Sequence, residues 1–339
     1  MSDTVLVTER EYGKAEEAFR GQRRFQVVPV PSDEQTLAEM VLKHGCRAVI
    51  VGTQPYRKAL YDALSKTGGA AGSILARFGV GHDGVDKVRA KRHNIVVTNT
   101  PGVLDQSVAE HTIWLLGALA RHVAAADARV RAGHFDSQVG LELAGRVLGI
   151  IGFGVIGRRV ARIAFAGFGM HVLAADSRPP ELLEAQEGKD FGQLKAEYGL
   201  EHYTPDTEPV LRESDIVSIH LPGTEETRHF VDKERIKLMK STALLVNTAR
   251  GSVLDEDALY DALTDGSLAG AALDVFENEP YAPVSPGKDL RTLDNVLLTP
   301  HIGSNTQRSN QRMARACLEN LARFFSGRLN ELTRVDAPG

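Results

Sequence analysis

The run Val147-Leu148-Gly149-Ile150-Ile151-Gly152-Phe153-Gly154-Val155-Ile156-Gly157 decides how the rest of this sequence is read. An apolar strand is followed at once by glycines in G-x-G-x-x-G spacing, and the chain then enters a helical pattern. Each glycine has a separate use there. Gly152 permits the tight turn, Gly154 lets the main chain approach a pyrophosphate, and Gly157 lets helix and strand close together. The helix opening at Val155 and Ile156 points free N–H groups and the positive end of its dipole at the same phosphates. A dinucleotide site is therefore expected over Gly152–Gly157. Nineteen residues after Gly157, Asp176 ends the next apolar run, His171–Ala175. A carboxylate at that place accepts both ribose hydroxyls and repels a 2′-phosphate, which favours NAD over NADP. Arg178, two residues on, is the competing feature, since it would reach a 2′-phosphate if the strand ended later.

Working outward, more βαβ units follow. Strands are expected at Ile216–His220, Ala243–Asn247, Gly270–Val275 and Val296–Thr299, giving with the first two the six that a full dinucleotide-binding sheet needs. Before the glycine loop, Val5–Thr8, Phe25–Val28, Ala48–Gly52, Ser73–Phe78 and Ile95–Asn99 alternate with helical patterns and imply a second parallel sheet. After the turn Thr100-Pro101-Gly102 a long helix is expected from Gln106 to about Arg131, with apolar residues at Val108, Ile113, Leu116, Leu119 and Val123. The last helix, Thr306 to Arg323, lies beyond the nucleotide sheet and is expected to pack on the N-terminal domain. The fold class is thus α/β in two domains, a Rossmann-type doubly wound parallel sheet (105–304) inserted into a smaller flavodoxin-like α/β substrate domain (1–104 with 305–339).

Composition narrows the function. The 339 residues are 42% hydrophobic and 25% charged, which suits two globular cores, and the formal net charge is -4 with no basic tract. Neither nucleic acid nor an anionic membrane is an expected partner. The two cysteines, Cys46 and Cys317, stand in no metal-ligand or disulfide pattern and read as buried thiols, so no metal is expected. Val5-Leu6-Val7 is too short for a signal-peptide core and no run reaches membrane-spanning length, so the cytoplasm is the expected location.

Further motifs stand in order along the chain. They are Val80-Gly81 within Arg77–Asp83, Asn99-Thr100-Pro101-Gly102, and Ser107-Val108-Ala109-Glu110-His111. After the glycine loop come His220-Leu221-Pro222, Glu226-Thr227-Arg228-His229, Asn247-Thr248-Ala249-Arg250-Gly251, Asp274-Val275-Phe276 with Glu279-Pro280, and Thr299-Pro300-His301-Ile302-Gly303-Ser304. In this set the sequence resembles the D-isomer-specific 2-hydroxyacid dehydrogenases over nearly its whole length. The resemblance implies reversible hydride transfer between NAD(H) and a small 2-ketoacid or D-2-hydroxyacid.

The chemistry of these residues agrees with that implication. Arg250 lies in a turn after a strand, where its planar guanidinium would grip a substrate carboxylate and carbonyl by paired hydrogen bonds. His301 follows the last strand, on the carboxyl edge where doubly wound sheets bind ligands, and an imidazole exchanges protons near neutrality. Glu279 would hydrogen-bond that imidazole, hold its tautomer and favour the protonated ring that ketoacid reduction requires. Glu277 competes for this role, but the family pattern sets its acid directly before proline and selects Glu279. The resemblance further implies that Pro222, Thr227, the Thr248–Ala249–Arg250 main chain, His301 and Gly303 line the cofactor and that Asp274 binds the nicotinamide amide. The N–H groups of Val80 and Gly81 would hold the substrate carboxylate, with domain closure completing the site. His82, His111 and His220 are assigned to packing or capping.

Three features depart from the family. The Gly157–Asp176 spacing is one residue long, which allows a helix irregularity. Residues 178–204 read as a charged surface excursion, and Phe135 stands where many relatives carry tryptophan. The long helix after Gly102 and the resemblance together suggest a two-fold homodimer joined through the nucleotide domains. Other readings remain. Formate dehydrogenases carry Gln where Glu279 stands and phosphite dehydrogenases carry Lys where Val80 aligns, so both lose ground here. A phosphoglycerate dehydrogenase lacking a regulatory domain, and an NADH-sensing corepressor-like binding protein, stay open. The sequence does not name the 2-hydroxy acid.

Overall fold

The computed structural model describes residues 3–335, and the chain divides into two compact units, Met1–Leu104 with Asn305–Gly339 and Asp105–Ser304. In chain order the first unit holds β1 (Asp3–Thr8), α1 (Glu9–Lys14), α2 (Glu16–Gly21), β2 (Phe25–Val30), α3 (Glu34–His44), β3 (Ala48–Val51), α4 (Ala59–Gly68), β4 (Ser73–Arg77), α5 (Lys87–Arg92) and β5 (Ile95–Thr98). Its five strands are parallel in the order β2-β1-β3-β4-β5, the flavodoxin-like arrangement. β3 and β4 are buried along their whole length, as parallel strands covered on both faces must be, and their apolar runs follow from that. Leu37 and Val41 of α3 and Leu60 and Leu64 of α4 close one core with Leu6, Val49 and Leu75.

The second unit opens with α6 (Asp105–Ala120) and α7 (Val123–Arg131). It continues through β6 (Val147–Ile151), α8 (Val155–Phe168), β7 (His171–Ala175), α9 (Pro180–Glu187), α10 (Phe191–Tyr198), β8 (Leu200–Thr204), α11 (Thr207–Glu213) and β9 (Ile216–Ile219). α12 (Lys233–Ile236), β10 (Leu244–Asn247), α13 (Glu256–Thr264), β11 (Gly270–Leu273) and β12 (Val296–Leu298) complete it. The parallel sheet runs β12-β11-β10-β9-β6-β7-β8, the doubly wound order, in which the direction of winding reverses between β6 and β9. α14 (Gln307–Phe325) then belongs to the first unit, packing on α2 and β4 as its apolar stripe Met313, Cys317, Leu321 and Phe324 anticipates. Both cysteines are free and buried, and burial pushes the Cys46 thiol up to about 11 and that of Cys317 up to about 12.

Three expectations need correction. The helix placed over 106–131 is two helices, because His122 adopts a left-handed backbone (φ 52°) and the Ala120 carbonyl is taken by the Leu141 N–H at 2.7 Å. α8 is continuous up to its left-handed Gly169 cap, so the extra residue before Asp176 causes no irregularity. Residues 178–204 are not a surface excursion but α9, α10 and β8, which makes seven strands of the expected six. β8 escaped notice because it is a polar edge strand, Leu200-Glu201-His202-Tyr203-Thr204, that buries fully only Leu200. Leu183, Leu194 and Tyr198 sit in the same core as Leu148, Phe153 and Val160, and Asp190 and Gln193 cap α10 reciprocally. Leu194→Ala should therefore destabilise this unit by about 2–5 kcal/mol, the cost of a cavity in a packed core, read as a lower denaturant midpoint; a change within error would return the segment to the surface.

Candidate active site

The glycine loop joins β6 to α8. Gly152 has φ 94°, and a Cβ there would lie 2.6 Å from the His220 carbonyl, so only glycine fits. A Cβ at Gly157 would lie 2.3 Å from the Gly152 carbonyl. At Gly154, by contrast, it would meet nothing within 4 Å, which leaves the main chain open to a phosphate beside the α8 N-terminus at Val155 and Ile156. Asp176 follows β7 and is nearly buried; its Oδ2 accepts from the Phe153 N–H at 2.7 Å and so ties the loop to the neighbouring strand. Arg178 folds back on it, with Nε 2.8 Å from Oδ1 and Nη2 2.7 Å from Oδ2. Burial alone would raise the Asp176 carboxyl, but the Arg178 and Phe153 donors outweigh it and hold the group below its ordinary value. These residues suit a dinucleotide.

Along the carboxyl edge, the loop after β9 carries Pro222 and Thr227, whose Oγ1 donates to the Pro222 carbonyl at 2.5 Å. Burial drives His220 down to about 4, so it is neutral and bonds Ser218 Oγ at 2.8 Å. The loop after β10 is the Asn247–Gly251 turn. Asn247, wholly buried, accepts the Ala249 N–H at 3.0 Å and donates to the Arg250 carbonyl at 2.9 Å, which fixes the main chain from which the Arg250 side chain projects. Thr248 Oγ1 meets Thr112 Oγ1 of α6 at 2.7 Å. Next to Arg250, a Cβ on Gly251 would fall 1.8 Å from the Phe276 carbonyl carbon, so the loops after β10 and β11 touch main chain to main chain.

The loops after β11 and β12 meet at Asp274. Its buried carboxylate accepts from Thr299 Oγ1 at 2.6 Å, from the Ile302 N–H at 2.9 Å and from the Gly303 N–H at 2.8 Å, and His111 Nε2 of α6 lies 3.2 Å away. Burial raises this carboxyl, yet His111, Thr299 and the two amides together keep it below the usual range. His301 sits inside the span so anchored, with a left-handed backbone (φ 52°) that costs a non-glycine residue about 1–2 kcal/mol. Its Nδ1 is 2.7 Å from Glu279 Oε2, while Glu279 Oε1 accepts the Phe276 N–H at 3.1 Å. With Nδ1 occupied, Nε2 is the ring atom left to exchange a proton.

Arg250, Glu279, His301 and the glycine loop thus all leave the carboxyl ends of strands in one sheet. Val80 and Gly81 lie in the first unit, after β4, where Asn99 Nδ2 donates to the Val80 carbonyl at 2.8 Å. Sequence reasoning missed His111, set aside as packing, and Glu256, buried at the start of α13 with its Oε1 2.6 Å from the Glu277 amide. Glu277, the rejected competitor, faces His229 Nε2 at 2.9 Å instead of His301. Only the helical period linking His111 to Val108 and Leu115 was there to be read, and it carries no information about Asp274.

A doubly wound sheet with a phosphate-binding loop and a histidine–carboxylate couple on one edge defines a dinucleotide-dependent oxidoreductase. Residues 113–303 match the family described as D-isomer specific 2-hydroxyacid dehydrogenase, NAD binding domain. A glyoxylate reductase of Korarchaeum cryptofilum is 39% identical over 356 aligned positions, which cover 100% of this chain and 99% of that one. The D-lactate dehydrogenase of Aquifex aeolicus, solved with NAD and lactic acid, superposes with a TM-score of 0.79 at 30% identity, covering 99% of this chain and 100% of the other. An NADPH-dependent glyoxylate/hydroxypyruvate reductase of Sinorhizobium meliloti, solved with NADP and malonate, gives 0.79 at 30% identity over 100% and 98%. The chain belongs to the D-isomer specific 2-hydroxyacid dehydrogenase family. It is an NAD-dependent oxidoreductase acting on the CH–OH group of a 2-hydroxy acid.

The Asp176–Arg178 pair sets an expectation for cofactor choice. Removing the carboxylate by Asp176→Ala should cut the NADH-over-NADPH ratio of kcat/KM by about 10–100-fold, the worth of charge-assisted hydrogen bonds and of lost repulsion, whereas Arg178→Ala should raise it. An unchanged ratio in Asp176→Ala together with a rise in Arg178→Ala would mean that the arginine, not the aspartate, governs recognition of the ribose.

Proposed function

We propose that this enzyme reduces a small 2-ketoacid of the glyoxylate or hydroxypyruvate type with NADH, and oxidises the corresponding D-2-hydroxy acid in reverse. The observation that carries the reading is the 2.7 Å bond between His301 Nδ1 and Glu279 Oε2 on the sheet edge that also bears the glycine loop. The substrate class is supported by the relatives named glyoxylate reductase and glyoxylate/hydroxypyruvate reductase. Those names also favour turnover over a dinucleotide-sensing role.

NADH, when bound, supplies the hydride. Arg250 binds the substrate carboxylate and carbonyl oxygen and turns the carbonyl face toward the incoming hydride. His301 gives its Nε2 proton to the carbonyl oxygen as the alkoxide forms, and takes it back in the oxidation. Glu279 orients the ring and offsets its charge. Pro222, Thr227, Thr248, Ala249 and Gly303 line the cofactor, and Asp274 serves it by holding the 301–303 main chain in place. The Val80 and Gly81 amides are the donors that the first unit offers to substrate.

His301→Ala should lower kcat by about 10²–10⁴-fold, the usual contribution of a positioned acid–base group, with NADH binding preserved in fluorescence titration. Arg250→Lys should raise KM for the ketoacid and slow turnover, because an ammonium does not reproduce the fork. The test uses NADH oxidation over glyoxylate, hydroxypyruvate, pyruvate and branched 2-ketoacids. Near-normal turnover in His301→Ala rejects the acid assignment, and a preference for branched substrates rejects the substrate class.

A homodimer joined through the nucleotide-binding unit belongs to the same proposal. α6 buries its inner face in that unit's core, yet Trp114 is 74% exposed, and Phe135 and Val139 beyond α7 are 98% and 96% exposed. Large apolar side chains in this number signal a covered surface. Sedimentation at micromolar concentration should give twice the chain mass, and Trp114→Glu with Phe135→Glu should give monomers; a monomeric parent protein removes the proposal. A cytoplasmic location accompanies it, consistent with free thiols at Cys46 and Cys317. Among the described residues, no helix is long and apolar enough to cross a membrane.

A further inference from the structure

Glu256 is 4% exposed, and the charged groups that act on it among the described residues are acidic. It begins α13, and its Oε1 reaches across to the Glu277 amide at 2.6 Å. That amide is the next after the Phe276 N–H, which donates to Glu279 Oε1. Two successive N–H groups of one loop are therefore held by two carboxyls, one from α13 and one from the loop itself. Two further buried oxygens, Glu256 Oε2 and Glu277 Oε1, have no hydrogen-bond partner among the described residues. A buried carboxylate oxygen without a donor is costly, and a proton on Glu256 both removes its charge and supplies a donor.

We infer that Glu256 is a positioning residue for the Glu279–His301 couple, acting as a neutral acid that fixes the 276–279 loop through the Glu277 amide. The inference rests on the proposed roles of Glu279 and His301. The groups facing Glu256 agree with a protonated side chain. They are Asp257 on its own helix, Glu277 and Glu279 from the loop after β11, and Tyr281 beyond it; Arg228 and His229 lie on the far side of Glu277, at 3.5 and 2.9 Å from its Oε2. Burial first, and then the negative neighbours, push the Glu256 carboxyl up to about 7, against the pull of the Glu277 amide. Above that pH a third charge joins Glu277 and Glu279 and works against the close packing of the loop.

The sign of the effect on stability follows from linkage. A carboxyl whose folded value is raised binds more protons in the folded state between about 4.5 and about 7, so stability falls as pH rises through that window and is level above it. Glu256→Gln keeps the acceptor for the Glu277 amide and carries N–H donors, but cannot ionise. Its melting temperature relative to wild type should rise by roughly 5 °C between about pH 5 and about pH 8. Glu256→Ala should lower kcat for ketoacid reduction about tenfold, as small misplacements of catalytic groups do, with KM for NADH near wild type. Glu256→Gln should recover most of that loss. The basic limb of the wild-type kcat profile should report two ionisations, and that of Glu256→Gln one.

If Glu256→Ala does not fold, Glu256→Asp replaces it, since the shorter arm draws the carboxyl away from the Glu277 amide. A wild-type kcat in the Ala or Asp variant, or a melting difference for Glu256→Gln that stays constant from about pH 5 to about pH 8, overturns the inference. Failure of the functional reading would look different, as a wild-type enzyme inactive on every 2-ketoacid tried while the pH-dependent melting difference persists.

Discussion

The carboxylate of Asp274 is the constraint on which the active edge depends. It is sealed from water, and an ion so placed is tolerated only where its lone pairs are filled. Thr299, Ile302, Gly303 and His111 fill them. Each donor comes from, or packs against, the segment carrying His301, so the charge cannot be satisfied unless that segment takes one course. The left-handed backbone of His301 is the local strain this imposes, and the network's several charge-assisted bonds exceed it.

From Asp274 the organisation spreads through main-chain contacts more than through side chains. Gly251 lets the loop after β10 lie against Phe276, and Asn247 fixes the turn that presents Arg250. The loop after β11 is pinned by Glu256 at one residue and by Glu279 at the one before it. A parallel sheet delivers every such loop to the same edge, so residues far apart in sequence need only short reaches to form one site. The carboxyls concentrated there answer to different surroundings. Asp274 is held ionised by its donors, whereas Glu256, facing other acids, is driven toward neutrality.

The far side of the glycine loop follows the same logic around a second carboxylate. Asp176 closes the loop through the Phe153 amide and is itself closed by Arg178, whose carbonyl accepts from Tyr203 on β8. Thus β8 and the helices before it, which resembled a polar excursion, support the cofactor site. Phe153, inside the glycine motif, stacks edge-on against Tyr198 and Tyr203 from that segment.

Much of this was legible in the sequence. Buried parallel strands must be apolar throughout, and glycines must stand where a Cβ would strike the main chain, so strands β6 and β7, the loop Gly152–Gly157 and the two-sheet organisation followed from local chemistry. Arg250, Glu279 and His301 were identified by the ordered motifs that the sequence shares with the family, and Glu279 was chosen over Glu277 as the partner of His301 because the family pattern sets its acid directly before proline. What the sequence could not carry were pairings between distant segments. Nothing local distinguishes His111 of α6 from a packing histidine, Glu256 from a solvated helix start, or Arg178 from a free cation. β8 was invisible because an edge strand buries one side only and need not be apolar, and the break at His122 depends on the Leu141 amide capturing the Ala120 carbonyl. Local stereochemistry writes itself into residue type; the partner that satisfies a buried charge is chosen only when the chain has folded and water is excluded.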